Sequence, residues 1–378
     1  MKIAFDLRRI NNPGIGRYMK CLTEAILAQA PHNDYLLVLP PGGKERFPGT
    51  SDRVQKLVTS LKYYSLREQI EMPAILRRHK VDLLHAPHFN MPWRRTCPVV
   101  VTLHDAIYMA CPQDLPSRLG RLYYKAMMNA AARRSDRIIT DSEFSKTDLV
   151  RLLSADQGKI DVVYPGVDPV FQKVGDEARR RAVQAKYRIQ GDYLIYTGIY
   201  KPRKNHAGLL RAFKFFLSQG GRAQLVIAGP MGEGEAMLQS LAAELGIAEH
   251  VVFTGFVSDE DLPVLYSGAS VYACPSLYEG FGFTVLEAMA CGVPVVCSPE
   301  TSLPEVAGDG ALYADPRVPE EFGSALLRVF WDKTLVAALM EKGDENVRRF
   351  SWHKAARQVL AIYAQVLGTA AMQEEPAA

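Results

Sequence analysis

Short apolar runs that do not alternate with polar residues constrain this chain more than any other feature. They recur at 3–7, 35–39, 83–86, 99–103, 137–140 and 160–164, each rich in Val, Ile and Leu. A strand with one wet face alternates apolar and polar side chains, so a continuous apolar strand is one buried on both faces. Helical patterns fill the intervals, and strand–helix–strand repetition builds a parallel, doubly wound sheet. After Pro165-Gly166-Val167-Asp168-Pro169 and a charged helix over 176–187 the rhythm restarts, at 193–197, 224–228, 251–254, 271–275, 294–297 and 311–313. The prediction is an α/β chain of two tandem parallel-sheet domains with a cleft between them. Its 378 residues, 48% of them hydrophobic, are enough for two cores.

In open α/β sheets ligands bind beyond the carboxyl ends of strands, so the residues that follow each run carry the functional information. The richest segment is Glu279-Gly280-Phe281-Gly282-Phe283-Thr284-Val285-Leu286-Glu287, between the strand at 271–275 and a helix at 284–291 that Gly292 and Pro294 end. A glycine turn that opens a helix is an anion site: unpaired N–H groups and the positive end of the helix dipole attract phosphate, and Gly280 and Gly282 permit close approach. Glu279 and Glu287 would repel phosphate, so they are read as acceptors for hydroxyl groups. Phosphate with hydroxyls points to a sugar nucleotide. The plainer alternative is a helix-start glutamate and a punctuating glycine.

Other strand ends add to this. The strand at 193–197 runs into Gly198 and then Lys201-Pro202-Arg203-Lys204-Asn205, cations suited to a diphosphate, with a solvated basic loop as the alternative. Gly229-Pro230 and Gly255-Phe256-Val257 end the next two strands and offer main-chain groups and a side-chain face for a base. Gly14 and Gly16 follow the first strand, and His104-Asp105 follows the fourth. Gly-x-Gly is a weak signal, and a lone strand-end histidine is more often structural. Asp259-Glu260-Asp261 is read as part of a helix-start capping box with Ser258, and His85 and His88 as strand-end residues, so no metal site and no cofactor is expected.

Net charge is +4, which gives little support to a nucleic-acid partner. Its distribution is uneven: residues 1–170 carry 25 Lys and Arg against 17 Asp and Glu, so the first half is the basic one. Part of the surplus lies in Arg118, Arg121, Lys125, Arg133, Arg134 and Arg137, interleaved with Leu119, Leu122, Tyr123, Tyr124, Met127 and Met128. Such a helix either lies on anionic lipid or, more commonly, packs its apolar stripe on a core. Six cysteines without a paired motif are read as reduced thiols. With no leader-like start and no apolar run of spanning length, the expected location is cytoplasmic, with peripheral contact at the inner face of the plasma membrane left open. The tail 373–378 is expected to fray.

Taken together, Glu279-Gly280-Phe281-Gly282 with Glu287 resembles the Glu-x7-Glu signature of the family 4 retaining glycosyltransferases. Gly14-Ile15-Gly16-Arg17-Tyr18, Pro202-Arg203-Lys204-Asn205, Gly255-Phe256-Val257, Pro275-Ser276, Ala288-Met289-Ala290-Cys291-Gly292-Val293-Pro294 and Ser302-Leu303-Pro304-Glu305 extend the resemblance over most of the chain. It implies the GT-B fold, two Rossmann-like domains facing a central cleft: an acceptor-binding domain at 1–168, a nucleotide-sugar domain at 169–352, and a helix from 353 that crosses back to the first. By the same resemblance Glu279 meets donor-sugar hydroxyls and Glu287 the ribose. The amides of Phe281, Gly282, Phe283 and Thr284 hold sugar and diphosphate with Lys204 and Arg203, while Gly229 and Val257 flank the base. Gly14 and Gly16 form the opposing wall, and His104 lies near the reacting carbon, so the catalytic set is Glu279, His104 and Lys204.

One departure is Ile199, where many relatives carry arginine: either Arg203 supplies the second cation or diphosphate binding is weaker. The implied chemistry is metal-independent and retaining. The donor preference is GDP-mannose, by likeness to bacterial mannosyltransferases with the Gly-Ile-Gly-Arg-Tyr opening, and the acceptor is a glycan or lipid-linked glycan in cell-surface polysaccharide synthesis. Open alternatives are a UDP-sugar donor, an epimerase or phosphorylase on this scaffold, and a noncatalytic nucleotide-sugar sensor.

Overall fold

In the computed structural model residues 1–12, 14–115 and 117–369 are described; the tail 373–378 and Pro13 lie outside them. The contacts divide the chain into two units, Met1–Gly166 together with the chain from Phe350, and Val167–Arg349. The crossings therefore fall at Gly166/Val167 and Arg349/Phe350, two and three residues before the boundaries at 168 and 352 read from the sequence.

The first unit holds a seven-stranded sheet: β1 (Lys2–Asp6), β2 (Asp34–Leu39), β3 (Val54–Val58), β4 (Leu83–Ala86), β5 (Val99–Thr102), β6 (Arg137–Thr140) and β7 (Ile160–Val162), in the order β3-β2-β1-β4-β5-β6-β7. The second holds six: β8 (Tyr193–Thr197), β9 (Gln224–Ala228), β10 (Val251–Gly255), β11 (Val271–Cys274), β12 (Val295–Cys297) and β13 (Ala311–Tyr313), in the order β10-β9-β8-β11-β12-β13. Every paired neighbour is parallel. Strands β4, β5, β8, β11 and β12 are buried along their whole length, as continuous apolar runs require.

β3 was not anticipated. Its sequence, Val54-Gln55-Lys56-Leu57-Val58, is broken by two polar residues, and the strand lies at the sheet edge where one side needs no apolar cover. In each sheet the strand order reverses once, between β1 and β4 and between β8 and β11. Loops leaving the carboxyl ends of those strands diverge to opposite sides and open a crevice, the position at which doubly wound sheets take ligands. The four loops are those carrying Arg9, His88, Lys204 and Glu279.

Helices cover both sheets. In the second unit His206–Ser218 and Pro319–Trp331 bury Leu209, Leu210, Phe213 and Phe216 against Phe322, Leu326 and Val329. In the first, the C-terminal helix Trp352–Leu367 repeats buried residues at helical spacing, Ala355, Ala356, Val359, Ile362 and Tyr363. Its Tyr363 hydroxyl meets His85 Nδ1 at 2.5 Å, and Gln29 Nε2 donates to the His353 carbonyl at 2.8 Å. Gly166 lies so close beneath Trp352 that a Cβ there would stand 2.3 Å from the Trp352 nitrogen. The loss of any clearance makes glycine the residue that lets the helix dock.

Candidate active site

Between β11 and the helix Phe283–Ala290 the chain makes the turn read from the sequence. Gly282 caps the helix at φ +104, a backbone region that side chains disfavour, and a Cβ there would press on Leu303 at 2.8 Å. No side chain caps the helix start, and Gly282, Phe283 and Thr284 are partly open to solvent. Ser302 ties the turn down, donating from its hydroxyl to the carbonyls of Glu279 (2.9 Å) and Phe281 (3.0 Å), while Thr301 Oγ1 accepts from the Glu279 amide at 3.0 Å. Phe281, placed by its amide in the sequence reading, buries its ring.

Glu279 is buried and paired with both predicted cations. Lys204 Nζ donates to Oε1, and Arg203 Nη1 donates to Oε2 at 3.4 Å and to the Tyr278 carbonyl at 3.2 Å. Burial would push this carboxyl up, but the Lys204 and Arg203 charges overcome it and hold it below the ordinary value of 4.5. Both cations come from the single turn Pro202–Lys204 after β8, closed by Asn205 in a left-handed conformation. The switch point thus joins three charged groups from two separated segments: net charge +1, against an open helix start.

Glu287 is also buried, on the inner side of its helix, where Oε2 accepts from the Tyr266 hydroxyl at 3.3 Å, and that hydroxyl meets Thr197 Oγ1 at 2.6 Å. The base-side loops come together through their glycines. The Gly229 amide donates to the Gly255 carbonyl at 2.9 Å, and a Cβ on Gly229 would stand 2.3 Å from the Gly198 carbonyl oxygen. Val257 is buried, whereas its neighbour Phe256 is 73% exposed, so the open aromatic face in this loop belongs to Phe256. Strand-end position alone does not distinguish the two.

In the first unit Gly14 caps the helix Ile15–Gln29 at φ +71 with open space around it. Gly16 packs closely on its own chain, since a Cβ would meet the Ile10 carbonyl oxygen at 2.2 Å. His104 Nδ1 lies 2.7 Å from Asp141 Oδ2 and Nε2 lies 3.2 Å from the Pro87 carbonyl, with the ring edge-on to Tyr18. Both neighbours are acceptors, so only the doubly protonated imidazolium satisfies them together. Burial works against that charge, but Asp141 prevails and raises the histidine above its ordinary value of 6.5. Asp141 was missed; its signal is a carboxylate placed directly after the apolar strand β6.

Arg137, counted with the basic helix, instead opens β6 and grips Asp161, and the helix is Arg118–Arg134. His85 uses both ring nitrogens, on Thr102 (2.9 Å) and Tyr363. The Ser258 hydroxyl accepts from the Asp261 amide at 3.3 Å, and the Asp261 carboxylate receives Lys186 and Tyr187.

Comparison with known proteins shows the family. Residues 14–171 match the model described as Glycosyltransferase Family 4, and 180–364 the model described as Glycosyl transferases group 1. The O-antigen chain mannosyltransferase B of Escherichia coli is 30% identical, over 96% of this chain and 99% of that protein. The chain belongs to glycosyltransferase family 4. The D-inositol 3-phosphate glycosyltransferase of Mycolicibacterium smegmatis is 34% identical over 62% of this glycosyltransferase and 54% of its own length. Among solved structures, the sucrose-phosphate synthase of Thermosynechococcus elongatus superposes with a TM-score of 0.76 at 21% identity (97% of this chain, 99% of that one). Anabaena HepE in complex with UDP and glucose follows with 0.75 at 19% (96% and 99%). These likenesses show that the glycosyltransferase has the GT-B fold of two parallel-sheet α/β units.

Proposed function

We propose that this glycosyltransferase transfers mannose from GDP-mannose, with retention of configuration and without a metal ion, to a glycan or lipid-linked glycan acceptor in O-antigen-type polysaccharide synthesis. The observation that carries the reading is the Lys204–Glu279–Arg203 cluster at an uncapped helix start. Two fixed cations and a set of main-chain amides neutralise a departing nucleoside diphosphate, the task a divalent ion performs elsewhere. The E. coli mannosyltransferase supports mannose. The UDP bound by HepE keeps a UDP-sugar as the second reading of the donor.

In a front-face displacement the bond between the anomeric carbon and the phosphate oxygen breaks, the acceptor oxygen bonds to that carbon from the same face, and the acceptor proton passes to the leaving phosphate. Lys204, Arg203 and the amides of Phe283 and Thr284 stabilise the charge that develops on that phosphate. Glu279 orients the sugar hydroxyls, and His104, as a cation, complements negative charge near the reacting carbon. Thermal-shift titration with GDP, UDP and ADP tests the donor. GDP is expected to raise the melting temperature most, since a ligand at a hundredfold excess over its Kd stabilises by about 2.7 kcal/mol. A larger shift with UDP overturns the choice of base.

The first unit is inferred to rest on anionic lipid. Among the described residues no helix is long and apolar enough to cross a membrane. The helix Arg118–Arg134 has two apolar faces: Tyr124, Met127 and Met128 enter the core, while Leu119 (80% exposed) and Leu122 (66%) point outward among the exposed cations Arg118, Lys125, Arg133 and Arg134. Headgroup attraction of about 1 kcal/mol per cation adds to insertion of the two leucines. Sedimentation with phosphatidylcholine vesicles containing phosphatidylglycerol should bring down the protein, and L119E/L122E should stay in the supernatant. Equal sedimentation of both proteins rules this surface out.

A further inference from the structure

We infer that the switch point of the first unit carries a pyranose-binding platform, built from Arg9, Tyr64, His88, Phe89 and Tyr123, that receives the acceptor sugar; the inference rests on the reading of this enzyme as a glycan-modifying transferase. The five residues leave the carboxyl ends of strands or face them. Arg9 follows β1 and His88 and Phe89 follow β4, the two strands between which the order reverses; Tyr64 follows β3, and Tyr123 reaches in from the helix Arg118–Arg134. This is the position in the first sheet that corresponds to the Lys204–Glu279 crevice in the second.

The rings form one surface. Tyr64 stacks on Phe89 (centroids 5.9 Å apart, 17° between planes) and stands edge-on to Tyr123 at 5.4 Å, and His88 lies 4.1 Å from Phe89. Tyr64 is 44% exposed and Tyr123 37%. Arg9 lies over the Tyr63 and Tyr64 rings, bonds the Tyr64 hydroxyl and approaches His88 Nε2 at 3.4 Å. The part-exposed rings of Tyr64 and Tyr123 beside a guanidinium match the two sides of a pyranose, whose C–H groups lie against an aromatic ring while its hydroxyls meet charged donors. His104 adjoins this surface, because its Nε2 lies against the carbonyl of Pro87, the residue before His88.

A buried ion network supports the platform. Arg8 donates to both oxygens of Asp6, at 2.7 and 2.6 Å, and to Glu68 Oε1. Glu68 Oε2 accepts from the Tyr64 amide at 3.1 Å and from Asn90 Nδ2 at 2.5 Å, and Asn90 Oδ1 takes the Tyr123 hydroxyl at 3.5 Å. Glu68 thereby fixes Tyr64 at φ +66, a strained backbone for a bulky side chain. Strain of this kind is retained where the surroundings over-determine it, typically at ligand sites.

The test uses the intact enzyme and saturation-transfer NMR with methyl α-mannoside, methyl α-glucoside and methyl α-galactoside as probes. Wild type should transfer saturation to at least one of them, and Tyr64→Ala and Tyr123→Ala should reduce the signal at least fivefold. Tyr64→Phe, which keeps the ring, should restore most of it. Tyr64→Gly relieves the positive φ, so a folded protein that has lost the signal separates binding from folding. Absence of signal from wild type, or signal unchanged in the alanine and glycine variants, overturns the platform. The GDP melting shift, measured on the same samples, reports on the donor reading independently: its absence counts against the proposed donor, and its presence with an unchanged probe signal counts against the platform alone.

Discussion

Glu279→Ala is expected to lower glycosyl transfer by roughly 10²- to 10³-fold while leaving GDP binding intact or tighter. The carboxylate is buried between Lys204 and Arg203, so its removal leaves two cations close together without a counter-charge. Breaking one side of a buried pair typically costs about 3 kcal/mol, and the unliganded variant should melt lower than wild type. A diphosphate restores the missing negative charge, so the GDP-induced rise in melting temperature should be larger in the variant. Activity and nucleotide affinity then move in opposite directions, an outcome that a purely structural glutamate would not produce. Turnover within a few-fold of wild type would refute the assignment. The pH dependence follows the same pair. Because the folded-state pKa lies below the ordinary 4.5, the stabilisation is complete above that value and is lost as pH falls through the lowered pKa. Glu279→Gln should flatten that acid limb.

His104→Ala should lower turnover about 10²-fold or more, and Asp141→Asn should displace the basic limb of the pH–rate profile. In wild type the imidazolium donates to Asp141 and to the Pro87 carbonyl, and its pKa is raised above 6.5 because Asp141 outweighs burial. A raised histidine contributes stability that is fully present below 6.5 and disappears as pH climbs through the folded-state value. Activity that uses the cation declines over the same interval. With asparagine at 141 the carboxylate charge that raises the histidine is gone, so the decline should move to lower pH, with reduced kcat at neutral pH. A profile that keeps its midpoint in Asp141→Asn would show that the pair has no part in the reaction. Melting curves across the same pH range separate this from a general loss of stability.

Much of the site was readable because its signals are local. Glu279, Gly282 and the helix after them lie in one twelve-residue run, 279–290, and strand, glycine and helix each leave a mark at short range. Lys204 and Arg203 were readable as cations after a strand, but their closure onto Glu279, some 75 positions away, was not. That contact depends on β8 and β11 lying side by side, a pairing across which the chain inserts β9 and β10. Asp141 escaped notice for the same reason: it acquires meaning only beside His104, which the pairing of β5 with β6 supplies. The close packing of Gly16 on the Ile10 carbonyl was not readable, because sequence reports that a glycine is present and not what occupies the space beside it. That Phe256 turns outward and Val257 inward was unreadable for a related reason, since which of two neighbouring side chains turns outward is set by packing.

By itself the sequence determined the class of fold, the number of sheets and the glycine turn, since continuous apolar runs and helix-breaking residues act through neighbours a few positions apart. Tertiary structure alone decided the edge strand β3, the two crevices where strand order reverses, the outward leucines of the basic helix and the left-handed Tyr64 held by Glu68. Each of these rests on groups far apart in the chain meeting in a buried place. There charge, hydrogen bonding and excluded volume are strong, and no short-range pattern records them.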